Sequence, residues 1–432
     1  MKPYPEYKPT GLAWLPEIPR HWTTRKIKYI FRERSEKGYP DEPLLAATQN
    51  HGVIPKSLYG ARTVEAQKDL HLLKLVRVGD FVISLRSFQG GIEYAYYQGI
   101  ISPAYTIMIT DSCLIDSGYF RYLAKSPNFI ALLQTCVTGI REGQNIDYST
   151  LRRHSLPLPP ADEQAQIVRY LDAITAKINK LIRAKKRQIA LLQEQKQAII
   201  NQAVTRGLDP DVELKDSGIR HIGLIPKHWQ VIKNQRLFKE SVGTSTTGKE
   251  ELLSVSLHYG VKKYAEVLAE ERTATLQPSE SLIGYKLVRR NDLVMNIMRA
   301  RNGSLGFSKY DGIVSAAYCI YRLKIECNPF FLHYFFRTPM LSQIFEEFSC
   351  GIAEHRKRLY PDSFLSLKSI LPPFHEQNVI VDFLKRQEYL LDNIISQYTR
   401  EIELELEYKN ALIAAVVTGK VDVRNIAVGR LS

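Results

Sequence analysis

Residues 156–202 read LPLPPADEQAQIVRYLDAITAKINKLIRAKKRQIALLQEQKQAIINQ. From Ala161 to Arg206 there is no proline or glycine, so nothing in the stretch breaks a helix. Apolar side chains recur at Ile167, Leu171, Ile174, Ile178 and Leu181, in steps that place them on one stripe of a helix. The spacing slips by one across Lys185, Lys186 and Arg187, then resumes at Ile189, Leu192 and Ile199. At about 1.5 Å per residue the pattern predicts one helix roughly 60 Å long, or two nearly collinear ones. A single narrow seam of this kind belongs to a coiled-coil partner rather than to a helix enclosed in a core.

Such a seam needs an equivalent helix to bury against. One lies 213 positions further on, from Leu371 to Val417, with Ile380, Leu384, Leu391, Ile394, Ile402 and Leu412 at seam positions. Pro159, Pro160, Glu163 and Gln164 fall on Pro372, Pro373, Glu376 and Gln377. The second seam is interrupted: Gln387 stands where the first helix has Ile174, and Glu405 where it has Leu192.

The repeat extends beyond the helices. Ile18 to Trp22 (IPRHW) returns as Ile225 to Trp229 (IPKHW), and Leu44 to Val53 parallels Leu252 to Val261 as a short β run ended by a glycine turn. Val78 to Ile83 matches Arg290 to Met295, a turn feeding a buried strand, and Gly99 to Tyr105 matches Gly312 to Tyr318. Phe120 to Leu133 matches the helical, aromatic-rich Phe330 to Phe345. Each half therefore reads as a mixed α/β (α+β) module of roughly 150 residues followed by a long helix. The expected boundaries are residues 1–160 and 217–373 for the modules and 161–205 and 374–419 for the helices. A polar connector fills 206–216, and a tail covers 420–432.

A chain of 432 residues suggests about two to four domains. The balance of 44% hydrophobic and 24% charged residues is that of a globular protein. A net charge of +14 favours a polyanionic partner, nucleic acid before membrane surface. The 5 cysteines are irregularly spaced, indicating neither a disulfide scaffold nor a zinc site. The N-terminal residues lack the apolar core of a secretion signal, and no apolar run reaches the roughly 18 residues of a membrane span. These features read as those of a soluble cytoplasmic protein.

Several stretches approach catalytic motifs without completing them. Gly243 to Glu250 (GTSTTGKE) nearly spells a phosphate-binding loop, but Glu250 stands where a hydroxyl should hold magnesium, so it reads as a flexible loop. Asp211 and Glu213 are too close in sequence to converge on a metal as nuclease carboxylates do. Asn328 to Phe331 (NPFF) resembles the loop of adenine methyltransferases with one proline missing, and reads as a helix start. His21 and His228, each before a tryptophan, read as strand-entry packing. With no acid–base–nucleophile set and no metal site, the chain is expected to be non-catalytic and to bind no cofactor itself.

Two tandem modules tied by antiparallel helices would have approximate twofold symmetry, which suits duplex DNA read at two separated half-sites. A duplicated scaffold holding two copies of some protein is the alternative. The candidate DNA contacts lie in basic polar loops: Arg86 and Gln89 after the first buried strand, and Arg299, Arg301 and Asn302 after its counterpart. Arg141, Gln144 and Asn145, and the run His355, Arg356, Lys357 and Arg358, occupy matching places before the Pro-Pro turns. Arginine reaches guanine and asparagine or glutamine reaches adenine, while Lys357 and Arg358 suit phosphates, which position rather than specify.

The IPRHW and IPKHW segments, with Pro159 to Gln164 and Pro372 to Gln377 heading long helices, resemble the specificity subunits of Type I restriction–modification enzymes over nearly the whole chain. The resemblance implies two target-recognition domains, each reading half of a bipartite asymmetric double-stranded DNA site, with the coiled coil setting their spacing. It further implies docking of two modification (adenine methyltransferase) subunits, which bind S-adenosylmethionine, and of ATP- and Mg²⁺-dependent restriction subunits. The competing readings are an autonomous site-specific nuclease or methyltransferase and a purely structural scaffold.

Overall fold

Phe81–Ile83 is apolar at every residue and buried throughout, as a strand covered on both faces must be. It sits inside a four-stranded antiparallel sheet in the order Phe31–Arg34, Thr106–Thr110, Phe81–Ile83, Glu93–Tyr94. The computed structural model, which describes residues 2–59, 69–139, 144–256, 260–270, 281–351 and 357–427, repeats this sheet. There the order is Phe238–Glu240, Tyr318–Leu323, Leu293–Asn296, Leu305–Phe307. The two sheets belong to separate units, Met1–Lys186 with Thr399–Ser432, and Arg187–Tyr398. The division falls where the seam spacing slips. The fold class is thus mixed α/β, with one module used twice and a share of both long helices in each unit.

Each sheet is pinned by a buried aspartate at the turn into its central strand. Asp80 accepts from the backbone N–H of Arg77 (2.8 Å) and from Nε of Arg34 (2.9 Å). Asp292 accepts from the N–H of Arg289 (2.9 Å) and from both arms of Arg322 (2.9 Å each). Arg34 lies on the edge strand of its sheet, whereas Arg322 lies on the strand between edge and centre. The carboxylate position is common to both units; the donor is not. In each case a buried charge is matched by hydrogen bonds, without which its burial would be costly.

The long helices are Ala161–Arg206 and Phe374–Val417. In the first unit Lys409 donates to Asn179 (3.3 Å) and Lys185 pairs with Glu401, so the two segments run antiparallel. Ile167, Leu171 and Leu412 join the core of this unit, while Ile380 and Leu384 join Ala203 and Val204 in the other. Among the expected seam residues Leu181 and Ile394 face outward, 42% and 37% exposed. The next residue takes the inner place in both helices: Ile182 is 7% exposed and Ile395 is half-buried. Neighbouring apolar residues sit about 100° apart on a helix, and the contact with the partner helix selects the second of each pair.

Both repeated sequence signatures meet at the helix starts. Glu163, 3% exposed, accepts from Trp22 Nε1 (3.0 Å) and from the Tyr4 hydroxyl, and pairs with His21 Nε2 (2.7 Å). Glu376 accepts from Trp229 Nε1 (3.0 Å) and pairs with His228 Nε2 (2.7 Å). Gln164 and Gln377 accept from the backbone N–H of Asp116 (2.7 Å) and Asn328 (2.8 Å), the capping residues of Ser117–Leu123 and Pro329–Phe336. The tryptophans are packed as expected, but the histidines are part-exposed partners of a carboxylate rather than packing residues.

The expected polar connector contains a strand. Leu214–Asp216 pairs with Leu224–Pro226, as Tyr7–Leu12 pairs with Leu15–Pro19 in the first unit. Glycine is required at Gly52 and Gly260, each opening the second strand of a hairpin at φ +72° and +77°. A Cβ there would meet the Tyr94 carbonyl at 2.6 Å or the His333 ring at 2.7 Å.

Candidate nucleic-acid interface

The loop that follows each central strand is held from below and open above. In the first unit it forms one helical turn, Ser87–Gly90, capped by Arg86. Arg86 and Gln89 are exposed, whereas Ser87 between them is buried. The Lys125 ammonium fixes the backbone beneath, donating to the carbonyls of Gly90 (2.9 Å) and Gln49 (3.2 Å) and to Glu93 Oε1 (2.6 Å). Glu93 is 1% exposed, and its second oxygen has no partner among the described residues. Burial pushes this carboxyl up to about 7, against the opposing pull of Lys125.

The second unit solves the same problem with Arg337. Its guanidinium donates to the carbonyls of Gly303 and Leu305, both at 2.9 Å, and burial pulls it below the ordinary arginine range. The loop above, with Ala300–Asn302 as a short 3₁₀ turn, exposes Arg299 and Asn302. Lys125 and Arg337 each precede a capping hydroxyl and a proline, Ser126-Pro127 and Thr338-Pro339. That recurring basic–hydroxyl–proline triplet was visible in the sequence and marks the two cations.

Candidates far apart in sequence are brought together within each unit. The turn Ser87–Gly90 packs beside Asn145–Ile146, which places Arg86 and Gln89 near Asn145 and the exposed Gln144. In the second unit Leu359 N–H donates to the Ile297 carbonyl (2.9 Å), placing the stretch from Lys357 beside the 299–303 loop. Glu346 joins the two, accepting from Arg301 (2.7 Å) and from Lys357, and these cations hold its carboxyl below the usual range. Arg301 and Lys357 are therefore tied to a carboxylate, whereas Arg299, Asn302 and Arg358 are exposed. Arg141, His355 and Arg356 lie outside the described residues.

The near-motifs have structural occupations. Glu250 accepts from the hydroxyls of Ser245 (2.6 Å) and Thr247 (3.2 Å), so its carboxylate closes the Gly243–Glu250 loop on itself. Glu213 pairs with Lys227 at 2.9 Å. Asn328 caps Pro329–Phe336, with Phe331 buried. Among the described residues no group of three or more His, Cys, Asp or Glu side chains could hold a metal ion, and no helix is long and apolar enough to cross a membrane.

Residues 22–191 match the model of the Type I restriction modification DNA specificity domain. A putative type I restriction enzyme MjaX specificity subunit of Methanocaldococcus jannaschii is 24% identical, with 94% of this chain and 95% of that protein aligned. The type I restriction enzyme EcoBI specificity subunit of Escherichia coli is 26% identical over 68% of this chain and 64% of its own length. A chain in a solved type I R-M system superposes with a TM-score of 0.65 at 14% identity, covering 94% of this chain and 99% of that one. The HsdS subunit from Thermoanaerobacter tengcongensis gives a TM-score of 0.50 at 14% identity, covering 94% and 98%.

Proposed function

Given that the chain belongs to the family of Type I restriction–modification specificity subunits, we propose that its two units read the two halves of a bipartite, asymmetric duplex site. The role is a non-catalytic one, and the family implies association with duplex DNA and with modification and restriction subunits. In this reading residues 1–160 and 217–373 are the recognition domains. The helices 161–205 and 374–419 set their separation and carry the docking faces for two modification subunits.

One observation carries the assignment of the reading surface: in both units an exposed Arg-and-amide loop rests on a part-buried cation that fixes its backbone. A bidentate contact to a base edge needs a side chain delivered from a fixed main chain, and Lys125 and Arg337 supply that from beneath. Because the loops differ in sequence, Arg86 and Gln89 against Arg299 and Asn302, the half-sites they select differ.

The test is methylation mapping of the complex with its modification subunits. Arg86→Ala should relax only the first half-site and Arg299→Ala only the second, each by about 1–3 kcal/mol of base discrimination. If both variants methylate the wild-type sequence with unchanged fidelity, these loops are not the readers.

A further inference from the structure

The second unit contains an open cleft of about 1110 Å³ between its module and its share of the long helices. Six basic side chains line it, Lys196, Lys262, Arg290, Lys309, Arg337 and Lys385, against the carboxylates Glu388 and Asp392. Lys196 sits between those two acids, 3.2 Å from Glu388 and 3.0 Å from Asp392, and Lys385 lies 3.9 Å from Asp382 on its own helix, so the lining cations still outnumber the carboxylates. Lys309 from the module and Lys385 from the helix both stand over the Phe330 ring, 5.6 Å from its centroid. His333 adds no charge, because burial together with Arg337 and Lys309 pushes its imidazole down to about 3.

The first unit provides an internal control. Matching sheet register places Ile54, Val78 and Tyr96 where the second unit has Lys262, Arg290 and Lys309. The matching caps Asp116 and Asn328 place Gly118 where it has Phe330, and the helix repeat places Asp172 where it has Lys385. Asp172 is itself taken up by Arg121 and Tyr122, each at 2.6 Å. Charge concentrated in one copy of a duplicated scaffold is not something the scaffold requires. An excess of like charge destabilises the free protein, and an anionic ligand held between these side chains would relieve it.

We propose that this cleft holds the phosphodiester backbone of the DNA duplex beside the second half-site, with Lys309 and Lys385 as its phosphate contacts. A long helix would thereby touch DNA directly on one side of the protein only. The cleft adjoins the candidate reading loop, since Arg337 lines it and also donates to Gly303 and Leu305. Backbone and base contacts would then share one support. Lysines brought together from module and helix suit a phosphate chain, which they hold without base preference. The proposal rests on the reading that the chain binds duplex DNA.

The experiment is the salt dependence of duplex binding by the full chain in complex with its modification subunits. K309Q/K385Q should lower the slope of log affinity against log salt by about 2, one for each phosphate contact, with the methylated sequence unchanged. K239Q, on the opposite edge strand of the same sheet, should leave the slope as it is. A steep wild-type slope unaltered by the double substitution overturns the proposal alone. No salt-dependent binding by the wild-type complex overturns the DNA reading beneath it. Loss of the modification subunits by K309Q/K385Q but not by K239Q would make the cleft an acidic-protein dock and also overturn the proposal.

Discussion

Replacing Glu163 with alanine removes the acceptor shared by Tyr4, Trp22 and His21. Trp22 is fully buried and Tyr4 is 3% exposed, so neither donor can turn to water. Each buried donor left unsatisfied costs about 1–3 kcal/mol, which puts the loss of the two buried donors at about 2–6 kcal/mol. His21 adds little, because its side chain is 38% exposed and water can replace the lost contact. The counterpart Glu376→Ala strands only the indole of Trp229, and Glu376 is itself 28% exposed, so about 1–2 kcal/mol is expected. Hydrogen exchange separates the two units, reporting the first through Phe81–Ile83 and the second through Leu293–Asn296. Glu163→Ala should deprotect the first strand strongly, and Glu376→Ala the second more weakly. Glu163→Gln should recover part of the loss, since the amide oxygen still accepts one bond. Equal losses, or a larger loss at Glu376, would refute the assignment of the energy to buried donors.

Leu171→Ala should cost about 2–5 kcal/mol and Leu181→Ala within about 0.5 kcal/mol, because Leu171 is fully buried and Leu181 is 42% exposed; urea denaturation of both variants checks the seam. Glu93 supplies a pH dependence of definite sign. Burial raises its folded carboxyl to about 7, so the folded state holds a proton that the unfolded state has lost. Stability therefore falls as pH rises from about 4.5 to 7 and levels off above that. Glu93→Gln should abolish that part of the slope in a series of melts, and a slope identical to wild type would show that Glu93 is not its source.

The seam spacing, the Pro-Pro-x-x-Glu-Gln helix starts and the IPxHW segments were enough to read a duplicated module and two long helices. Each of these is a periodicity or a local signature, and helix geometry converts such signals directly into a face or a terminus. The register of the seam was not decidable in the same way. Leu181 and Ile182 are adjacent and both apolar, and only the partner helix distinguishes them. The strand Leu214–Asp216 was equally hidden, because a short polar strand is stabilised by its pairing with Leu224–Pro226 and not by its own composition.

The candidate interface divides along the same line. Basic polar loops mark Arg86, Arg299, Arg301 and Lys357 alike. Tertiary structure alone exposes the first two and ties the other two to Glu346. Composition fixes how much positive charge the chain carries, since charge is a sum over residues. Where that charge gathers depends on distances between residues remote in sequence. Lys309 and Lys385 meet over one phenylalanine, while Tyr96 and Asp172 stand at the corresponding positions of the first unit.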